Sequence, residues 1–228
     1  LSNLVIDLTA AVWDERSARY VLRTFHRDDP KIRPFLVHLG RAFVTDVTLR
    51  VGRDVPLRCV SRVDLSVDEL FAAPGSGGSL FQHFVDEAGR VEAIWFPFTE
   101  KPWLKVWSPA QTKPAGSRHV TGPYNYPFSD EIPAPVADLA GRAIRDGSVT
   151  PEFSAAEYTA AQDGLLALHA ADLWGPAKNT QLYIRSTTLR FDESGYGVAC
   201  RRADVQRVLH LFFAKYRALL THHQARGE

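Results

Sequence analysis

The chain has 228 residues, 45% of them hydrophobic, and a formal net charge of +1 at pH 7. A chain of this length can form one large domain or two small ones, and a charge so close to zero gives no reason to expect binding to nucleic acid or to an anionic membrane. No apolar run reaches the roughly 18 residues that a transmembrane helix needs, so stable insertion into a membrane is not expected.

Residues 1–53 are predicted to form a small β-rich unit. Leu4–Val12 and Tyr20–Thr24 are predicted strands, because they are rich in β-branched and aromatic residues and a polar turn separates them. Phe43–Val51 alternates apolar and polar residues, which is typical of a strand with one buried face. The apolar residues of this strand are expected to point inward: Phe43, Val47, Leu49 and Val51.

Residues 54–228 are predicted to form a second unit, which begins with a strand at Pro56–Asp64. Ser66 and Glu69 have the spacing of a capping box, which predicts the start of a short helix. Leu80–Ala88 has its apolar residues on one helical face, so a further helix is expected there.

The segment Val91–Trp107 predicts two short strands separated by prolines. In the first strand Glu92 shares a face with Ile94 and Phe96, because alternate residues of a strand point the same way. Desolvation on such a face raises the pKa of a carboxyl group, which suits a general base that works near neutral pH. The alternative is a packed sheet with one glutamate at its edge. The second strand alternates in the same way, with one face formed by Trp103, Lys105 and Trp107.

Residues 108–133 are rich in proline and lack periodicity, which predicts a long loop. Its aromatic residues argue against disorder, and we interpret the loop as a wall over an active site. The other predicted elements are helices at Ala134–Ile144, Thr150–Leu168 and Ala203–Leu220, and a hairpin formed by Gln181–Phe191 and Tyr196–Arg202.

The two cysteines, Cys59 and Cys200, are predicted to be buried free thiols rather than a disulfide. Neither the cysteines nor the scattered histidines have the spacing of a metal site. No bound metal is therefore expected.

Three long strings of the sequence strongly resemble one known family. They are WFPFTEKPWLKVWSP in and after the central strands, VTGPYNYPFSD at Val120–Asp130, and DLWGPAKNTQLYIRSTTLR at Asp172–Arg190. They resemble the substrate-binding domain of the cholesterol oxidases that carry covalently attached FAD, within the vanillyl-alcohol-oxidase superfamily. The resemblance extends over nearly the whole chain.

The resemblance implies a division of the chain near residue 53. Residues 1–53 resemble the C-terminal part of the FAD-binding domain, and residues 54–228 resemble the substrate-binding domain, which we expect to be truncated at its C-terminal end. The expected fold class is α+β: a mostly antiparallel (mixed) β-sheet flanked by helices on one side, preceded by a small β-rich remnant of the FAD-binding domain. The sequence begins at Leu1 and contains no methionine, so we expect an internal piece of a longer protein.

The implied function is that of an FAD-dependent oxidase of cholesterol or another 3β-hydroxysteroid. In this family O2 reoxidises the flavin and is reduced to H2O2, and the 5-ene product is isomerised to the 4-ene. The chain would form the roof of the steroid pocket over FAD. Two alternatives stay open at this point, a non-catalytic sterol-binding cap domain and an oxidase of another bulky secondary alcohol.

The resemblance also implies roles for individual residues. Glu92 is the first choice for the active-site glutamate, and Glu100 is the second. The residues expected to contact FAD are Ser2, Asn3, Val44 and Thr45, although Ser2 and Asn3 could also be a frayed terminus. The residues expected to contact the substrate are Ile94, Phe96, Trp103, Tyr124, Asn125, Tyr126, Asn179, Tyr183 and Arg185.

The expected partners are a sterol and O2, and the oligomeric state stays open. The family also uses a Glu-x-Arg pair that controls a channel to the flavin, and the sequence contains no such active-site pair, so the isolated chain is expected to be inactive. Secretion is an expectation that rests only on the resemblance to bacterial cholesterol oxidases.

Overall fold

The structure is a computed structural model that describes residues 2–78, 80–122, 135, 138, 141, 151–181, 195 and 197–227. Several predicted site residues and most of one predicted helix lie outside the described residues: Tyr124, Asn125, Tyr126, Tyr183, Arg185 and the greater part of Ala134–Ile144. The chain divides into two compact units, Leu1–Arg53 and Asp54–Glu228.

The first unit is an antiparallel sheet with strand order β2-β1-β3. Its strands are β1 (Val5–Asp14), β2 (Arg19–His26) and β3 (Phe43–Leu49). Two short 3-10 helices, Ser2–Leu4 and Pro30–Ile32, and the helix α1 (Arg33–Leu36) complete it. The core consists of Leu8, Ala10, Phe25 and Ile32, and Val44 packs against it.

The predicted orientation of the third strand is wrong. Phe43, Val47, Leu49 and Val51 are all exposed, Phe43 by 73%. Val44, on the other face of β3, is the residue that packs on the core. An alternating pattern shows that a strand has two faces, but which face is covered depends on where the neighbouring elements pack.

The second unit contains a mixed sheet with strand order β5-β6-β4-β8-β7. All its pairs are antiparallel except β7 with β8, which is parallel. The predicted α+β class is therefore confirmed. The strands are β4 (Leu57–Arg62), β5 (Arg90–Ile94), β6 (Trp103–Pro109), β7 (Arg118–His119) and β8 (Asp172–Gly175). The helices are α2 (Val67–Leu70), α3 (Phe81–Ala88), α4 (Pro151–Ala167), α5 (Ala177–Thr180) and α6 (Val205–Gln224), with a 3-10 helix at Arg202–Asp204.

Helices cover both faces of this sheet, not one as expected. On the first face, which we call the α4 face, Ala161 and Leu165 of α4 pack against Trp103 and Trp107. On the second, the α6 face, Phe213 of α6 belongs to a separate apolar cluster together with α2 and α3. The central strands carry apolar side chains on both faces, so each face needs a cover.

The two short helices next to the sheet begin and end at the residues that the sequence indicates. The Ser66 side chain accepts a hydrogen bond from the Glu69 backbone N–H at 3.1 Å, which confirms this half of the capping box at the start of α2. Gly89 follows α3 in the left-handed region with a φ of 77°, where a residue without a Cβ is favoured.

The C-terminal part of the chain departs most from the prediction. The sequence analysis missed β8 and α5, and β7 lies within the stretch predicted as a loop. Of the predicted hairpin, residues 197–200 are described and form no strand. Cys200 lies in this segment and is exposed, whereas Cys59 is buried as predicted, and both are free thiols.

Candidate functional site

An ion pair between neighbouring strands is the main polar feature of the α4 face. Glu92 of β5 lies directly opposite Lys105 of β6 in the antiparallel register. The Lys105 Nζ atom is 2.8 Å from Glu92 Oε2. The Lys105 side chain is 1% exposed and that of Glu92 is 35% exposed. The Glu92 side chain therefore reaches solvent, although its Oε2 atom is buried, and the ammonium group lies behind it in the core.

Two tryptophans flank the Lys105 ammonium group. Its Nζ atom lies 4.7 Å from the ring centroid of Trp103 and 5.4 Å from that of Trp107, within the range of cation–π attraction. Burial lowers the pKa of Lys105, and the Glu92 carboxylate opposes this shift. Both aromatic faces and the carboxylate thus favour the charged amine, while desolvation disfavours it.

Glu92 also lines a shallow cavity of about 560 Å³ that is open to solvent. This volume is within the roughly 300–1,000 Å³ that is usual for small-molecule sites. Arg90 and Glu92 project from the same face of β5, so the cavity has a cation and an anion at its wall. Its lining residues are Gly89, Arg90, Val91, Glu92, Trp107 and Gln181.

None of the other predicted substrate residues that the structure describes lines this cavity. Ile94 pairs with Trp103 across β5 and β6, and Trp103 has no exposed surface. The Phe96 ring meets the Tyr158 ring edge-on, with the centroids 6.1 Å apart. The buried Asn179 side chain donates a hydrogen bond to the Val120 carbonyl oxygen at 3.3 Å. Ile94, Phe96 and Trp103 belong to the apolar packing of the α4 face.

Glu100, the second predicted glutamate, belongs to a different place. It is exposed and lines a separate cavity of about 360 Å³ on the α6 face, together with Trp95 and Tyr216. Its backbone carbonyl accepts a hydrogen bond from the Val67 N–H at 2.8 Å, which satisfies a donor at the start of α2. Glu92 and Glu100 therefore do not form a carboxylate pair.

A profile of the family described as "Cholesterol oxidase, substrate-binding" matches residues 56–228. The chain belongs to this family. The solved structure of "Solvent-stable cholesterol oxidase" is 48% identical, with a TM-score of 0.87. The crystal structure of cholesterol oxidase from Brevibacterium sterolicum and the structure of a variant of it are each 45% identical, with TM-scores of 0.86 and 0.85.

Each of these alignments covers 100% of this chain and 42–43% of the matching oxidase. The chain thus spans less than half the length of these cholesterol oxidases. A search of curated proteins found no match. The resemblance inferred from the three sequence strings is confirmed at the level of the family.

Two features of this cholesterol oxidase domain were not assigned a role from the sequence. Lys105 alternates with two tryptophans, a pattern that indicates a lysine on an aromatic face, but its partner depends on the register of β5 against β6. The Trp107 indole N–H donates to the Thr180 carbonyl oxygen at 2.6 Å, so the end of α5 is held at the cavity and Gln181 reaches its wall. Nothing in the local pattern indicates this long-range contact.

The residues predicted to contact FAD lie in the first unit. Asn3 is exposed in the first 3-10 helix, and Val44 and Thr45 lie on β3. Ser2 begins that 3-10 helix. The pairing of β1 with β3 shifts by one residue at Thr45, which therefore occupies a β-bulge and donates its hydroxyl to the Thr9 carbonyl oxygen at 3.3 Å. Bulges often re-aim side chains near binding sites.

A ligand that contacts all of these residues would have to be long. Asn3 lies beyond the start of β1 at Val5, whereas Val44 pairs with Ala10 further along the same strand. Five residues of strand separate the two places, which is about 17 Å. An amide, a hydroxyl and a half-buried apolar side chain suit different parts of a dinucleotide, so the donor set and the spacing are compatible with FAD.

The described part of the chain contains no group of three or more His, Cys, Asp and Glu residues that could hold a metal ion. Among the helices of these residues, none is both long and apolar enough to cross a bilayer.

Proposed function

We propose that the chain forms the steroid-binding roof of an FAD-dependent cholesterol oxidase. The complete enzyme oxidises the 3β-hydroxyl of cholesterol or a related sterol, with O2 reduced to H2O2, and isomerises the 5-ene-3-one to the 4-ene-3-one. The observation that carries this proposal is the position of Glu92. It is a part-exposed carboxylate at the wall of a cavity with an aromatic side chain, in a domain of the cholesterol oxidase family.

In this proposal Glu92 is the general base. It accepts the proton of the 3β-hydroxyl, and during isomerisation it carries a proton from C4 to C6 of the steroid. Bound FAD would supply the acceptor for the hydride from C3 and the route by which the electrons reach O2. A carboxylate that is partly open to solvent can release the hydroxyl proton to water before it takes the proton from C4, so the exposed fraction of Glu92 suits this role.

The apolar wall has the task of holding the fused rings. Trp107 lines the cavity at the side of Glu92, and flat apolar contacts give most of the binding free energy of such a ligand. The polar head of the sterol has to be fixed by few groups, and Arg90 and Gln181 supply hydrogen-bond donors at the same wall. These residues orient the 3β-hydroxyl toward Glu92.

The experiment uses the complete flavoprotein that contains this chain. Cholesterol, a second 3β-hydroxysteroid and a bulky secondary alcohol without a steroid nucleus are assayed in parallel, with H2O2 and the conjugated enone measured separately. We expect both products with the steroids and little with the third compound. Sterol binding without H2O2 would instead favour a non-catalytic cap domain, and equal turnover of the non-steroid alcohol would favour an oxidase of wider specificity.

A further inference from the structure

We propose that Lys105 is a positioning residue that holds the Glu92 carboxylate in place from behind and acts only through it. This inference rests on the proposed function of Glu92 as the base. It assigns a role to a buried cation that the proposed chemistry does not otherwise use.

The first argument is geometric. Lys105 is 1% exposed, and the residues that line the 560 Å³ cavity include Glu92 and Trp107 but not Lys105. Its ammonium group meets the carboxylate at 2.8 Å from the side of the core. Lys105 is therefore placed to fix the direction of the carboxylate without touching a ligand in the cavity.

The second argument concerns the cost of the buried charge. A buried ion pair adds little to stability compared with well-packed apolar residues of the same volume, and the desolvation of the ions is costly. The neighbours of Lys105 on the same face of β6 are the buried apolar side chains of Trp103 and Trp107. An apolar residue at position 105 would suit this core at least as well, so packing alone gives no reason for a lysine.

The third argument is that the groups around the end of the Lys105 side chain suit an ammonium group better than an apolar group. The faces of Trp103 and Trp107 both lie within about 6 Å of Nζ, the range in which a ring quadrupole attracts a cation. Lys105 is thus held between two rings and one carboxylate. A carboxylate fixed by such a partner keeps one orientation, whereas a free, part-exposed glutamate samples several rotamers.

A second ion pair of the same sheet provides a matched control. Arg58 of β4 makes two hydrogen bonds to Asp172 of β8, at 2.9 and 2.7 Å. Arg58 follows Leu57 and precedes Cys59, which both belong to the α4 cluster, so its side chain projects from the opposite face. This pair lines neither described cavity, and its loss should affect stability alone.

The test is a double-mutant cycle in the complete flavoprotein with Lys105→Met, Glu92→Gln and both together. A misplaced base typically costs on the order of 10²-fold in rate, so we expect Lys105→Met to lower kcat by about that factor with little change in KM. In the Glu92→Gln background the same substitution should lower kcat no further. Arg58→Met should leave kcat unchanged on both backgrounds.

Thermal unfolding of each variant accompanies the kinetics. The Glu92 carboxylate stays partly in water after Lys105→Met, so we expect the variant to fold. If it does not, Lys105→Gln, which removes the charge but keeps an N–H donor, takes its place with the same expected pattern. A structural role would appear as a lower Tm with an equal loss of kcat on both Glu92 backgrounds.

The outcomes separate the two proposals. The role of Lys105 is overturned, and Glu92 remains the base, in two cases. In the first, Glu92→Gln abolishes turnover while Lys105→Met leaves kcat unchanged. In the second, the losses of kcat from the two substitutions multiply in the double variant. If Glu92→Gln is silent in an active oxidase, the assignment of the base fails, and the role of Lys105 fails with it. Loss of kcat from Lys105→Met that disappears in the Glu92→Gln background supports both.

Discussion

The two faces of the central sheet differ, although the same two strands build both. On the α4 face β5 and β6 contribute Glu92, Lys105 and two tryptophans, and a cavity opens in front of the carboxylate. On the α6 face the alternate residues of these strands are apolar and pack against the helices. The residues of that second face are Val91, Ala93, Trp95, Leu104 and Val106.

This difference suggests a division of roles within one sheet, in which the α6 face stabilises the fold and the α4 face carries the groups for the reaction. The α6 face buries rings in edge-on contact, such as Phe71 and Trp95 around Phe213, with centroids 5.7 and 5.4 Å from it. Contacts of this kind stabilise a fold without needing any charge. The α4 face instead keeps a buried ammonium group, which costs desolvation free energy. We therefore expect substitutions on the α4 face to affect turnover, and those on the α6 face to affect unfolding.

The largest expected effect is on the α4 face. Glu92→Gln keeps the size of the side chain and removes the base, and general acid–base groups typically contribute about 10²–10⁴-fold. Turnover or isomerisation in the complete oxidase should fall by that order, with a much smaller change in KM because the apolar wall supplies most of the binding. Steady-state kinetics with separate assays of H2O2 and enone measure this.

Glu100→Gln is the control for this prediction. Glu100 is exposed and lies at the other cavity, so its loss should change neither product. If Glu100→Gln abolishes turnover while Glu92→Gln does not, the α6 face rather than the α4 face carries the reaction. If both are silent, the base lies elsewhere in the complete protein.

The second expected effect is on the α6 face. Phe213 is 5% exposed and contacts two other rings, so Phe213→Ala leaves a cavity and should reduce the free energy of unfolding by about 3–5 kcal/mol. Chemical denaturation measures the loss. The neighbouring Phe212 is 60% exposed, and Phe212→Ala should change stability by no more than about 0.5 kcal/mol. Equal losses for the two variants would show that α6 does not pack as described.

The third prediction concerns the thiols. Cys59 is buried on the α4 face, and desolvation raises the pKa of its thiol from 9.0 to about 12, whereas Cys200 is exposed. A thiol reagent at mildly alkaline pH should therefore label one cysteine in the folded chain and two in denaturant, because the thiolate is the reactive form. Rapid labelling of Cys59 in the folded chain would contradict its burial.

The raised pKa of Cys59 also makes the free energy of unfolding depend on pH. Between pH 9.0 and about 12 the unfolded chain releases the Cys59 proton while the folded chain keeps it. The folded state then binds more protons, so the contribution of this group to the free energy of unfolding decreases as pH rises through that window. Below pH 9.0 both states are protonated and the contribution is constant. The pH dependence of the free energy of unfolding is compared between the unchanged chain and Cys59→Ala. The difference gives the contribution of the Cys59 thiol separately from that of Lys105.

Much of the fold could be predicted because its elements have strong local patterns. The alternation in β5 and β6 placed Glu92 on one face with Ile94 and Phe96, and the structure agrees. The strand β8 was missed because it has four residues, Asp172–Gly175, and its place in the sheet comes from pairing with β4, which is distant in sequence. The orientation of β3 was wrong because alternation does not show which face the neighbouring elements cover, and Val44 rather than the apolar face packs on the core.

The site was predicted less completely than the fold. The sequence indicates a glutamate on an apolar face, but the ion pair with Lys105 exists only because β5 and β6 pair in one register. A shift by one residue would place Leu104 or Val106 opposite Glu92. Likewise Gln181 reaches the cavity through the contact of Trp107 with Thr180, which no pattern predicts. Local patterns indicate Glu92 as the candidate base, whereas its surroundings depend on tertiary pairing.

The smallest expected effect tests whether the α6 face is purely structural. Ser66→Ala removes the acceptor of the Glu69 N–H at the start of α2, and the loss of an N-cap typically costs about 1 kcal/mol. Because α2 packs on the α6 face, we expect this loss in thermal unfolding with unchanged kcat and KM. Ser76→Ala, which removes a hydroxyl from an exposed loop, is the control and should alter stability less. A fall in kcat from Ser66→Ala at full stability would mean that the α6 face also positions groups for the reaction.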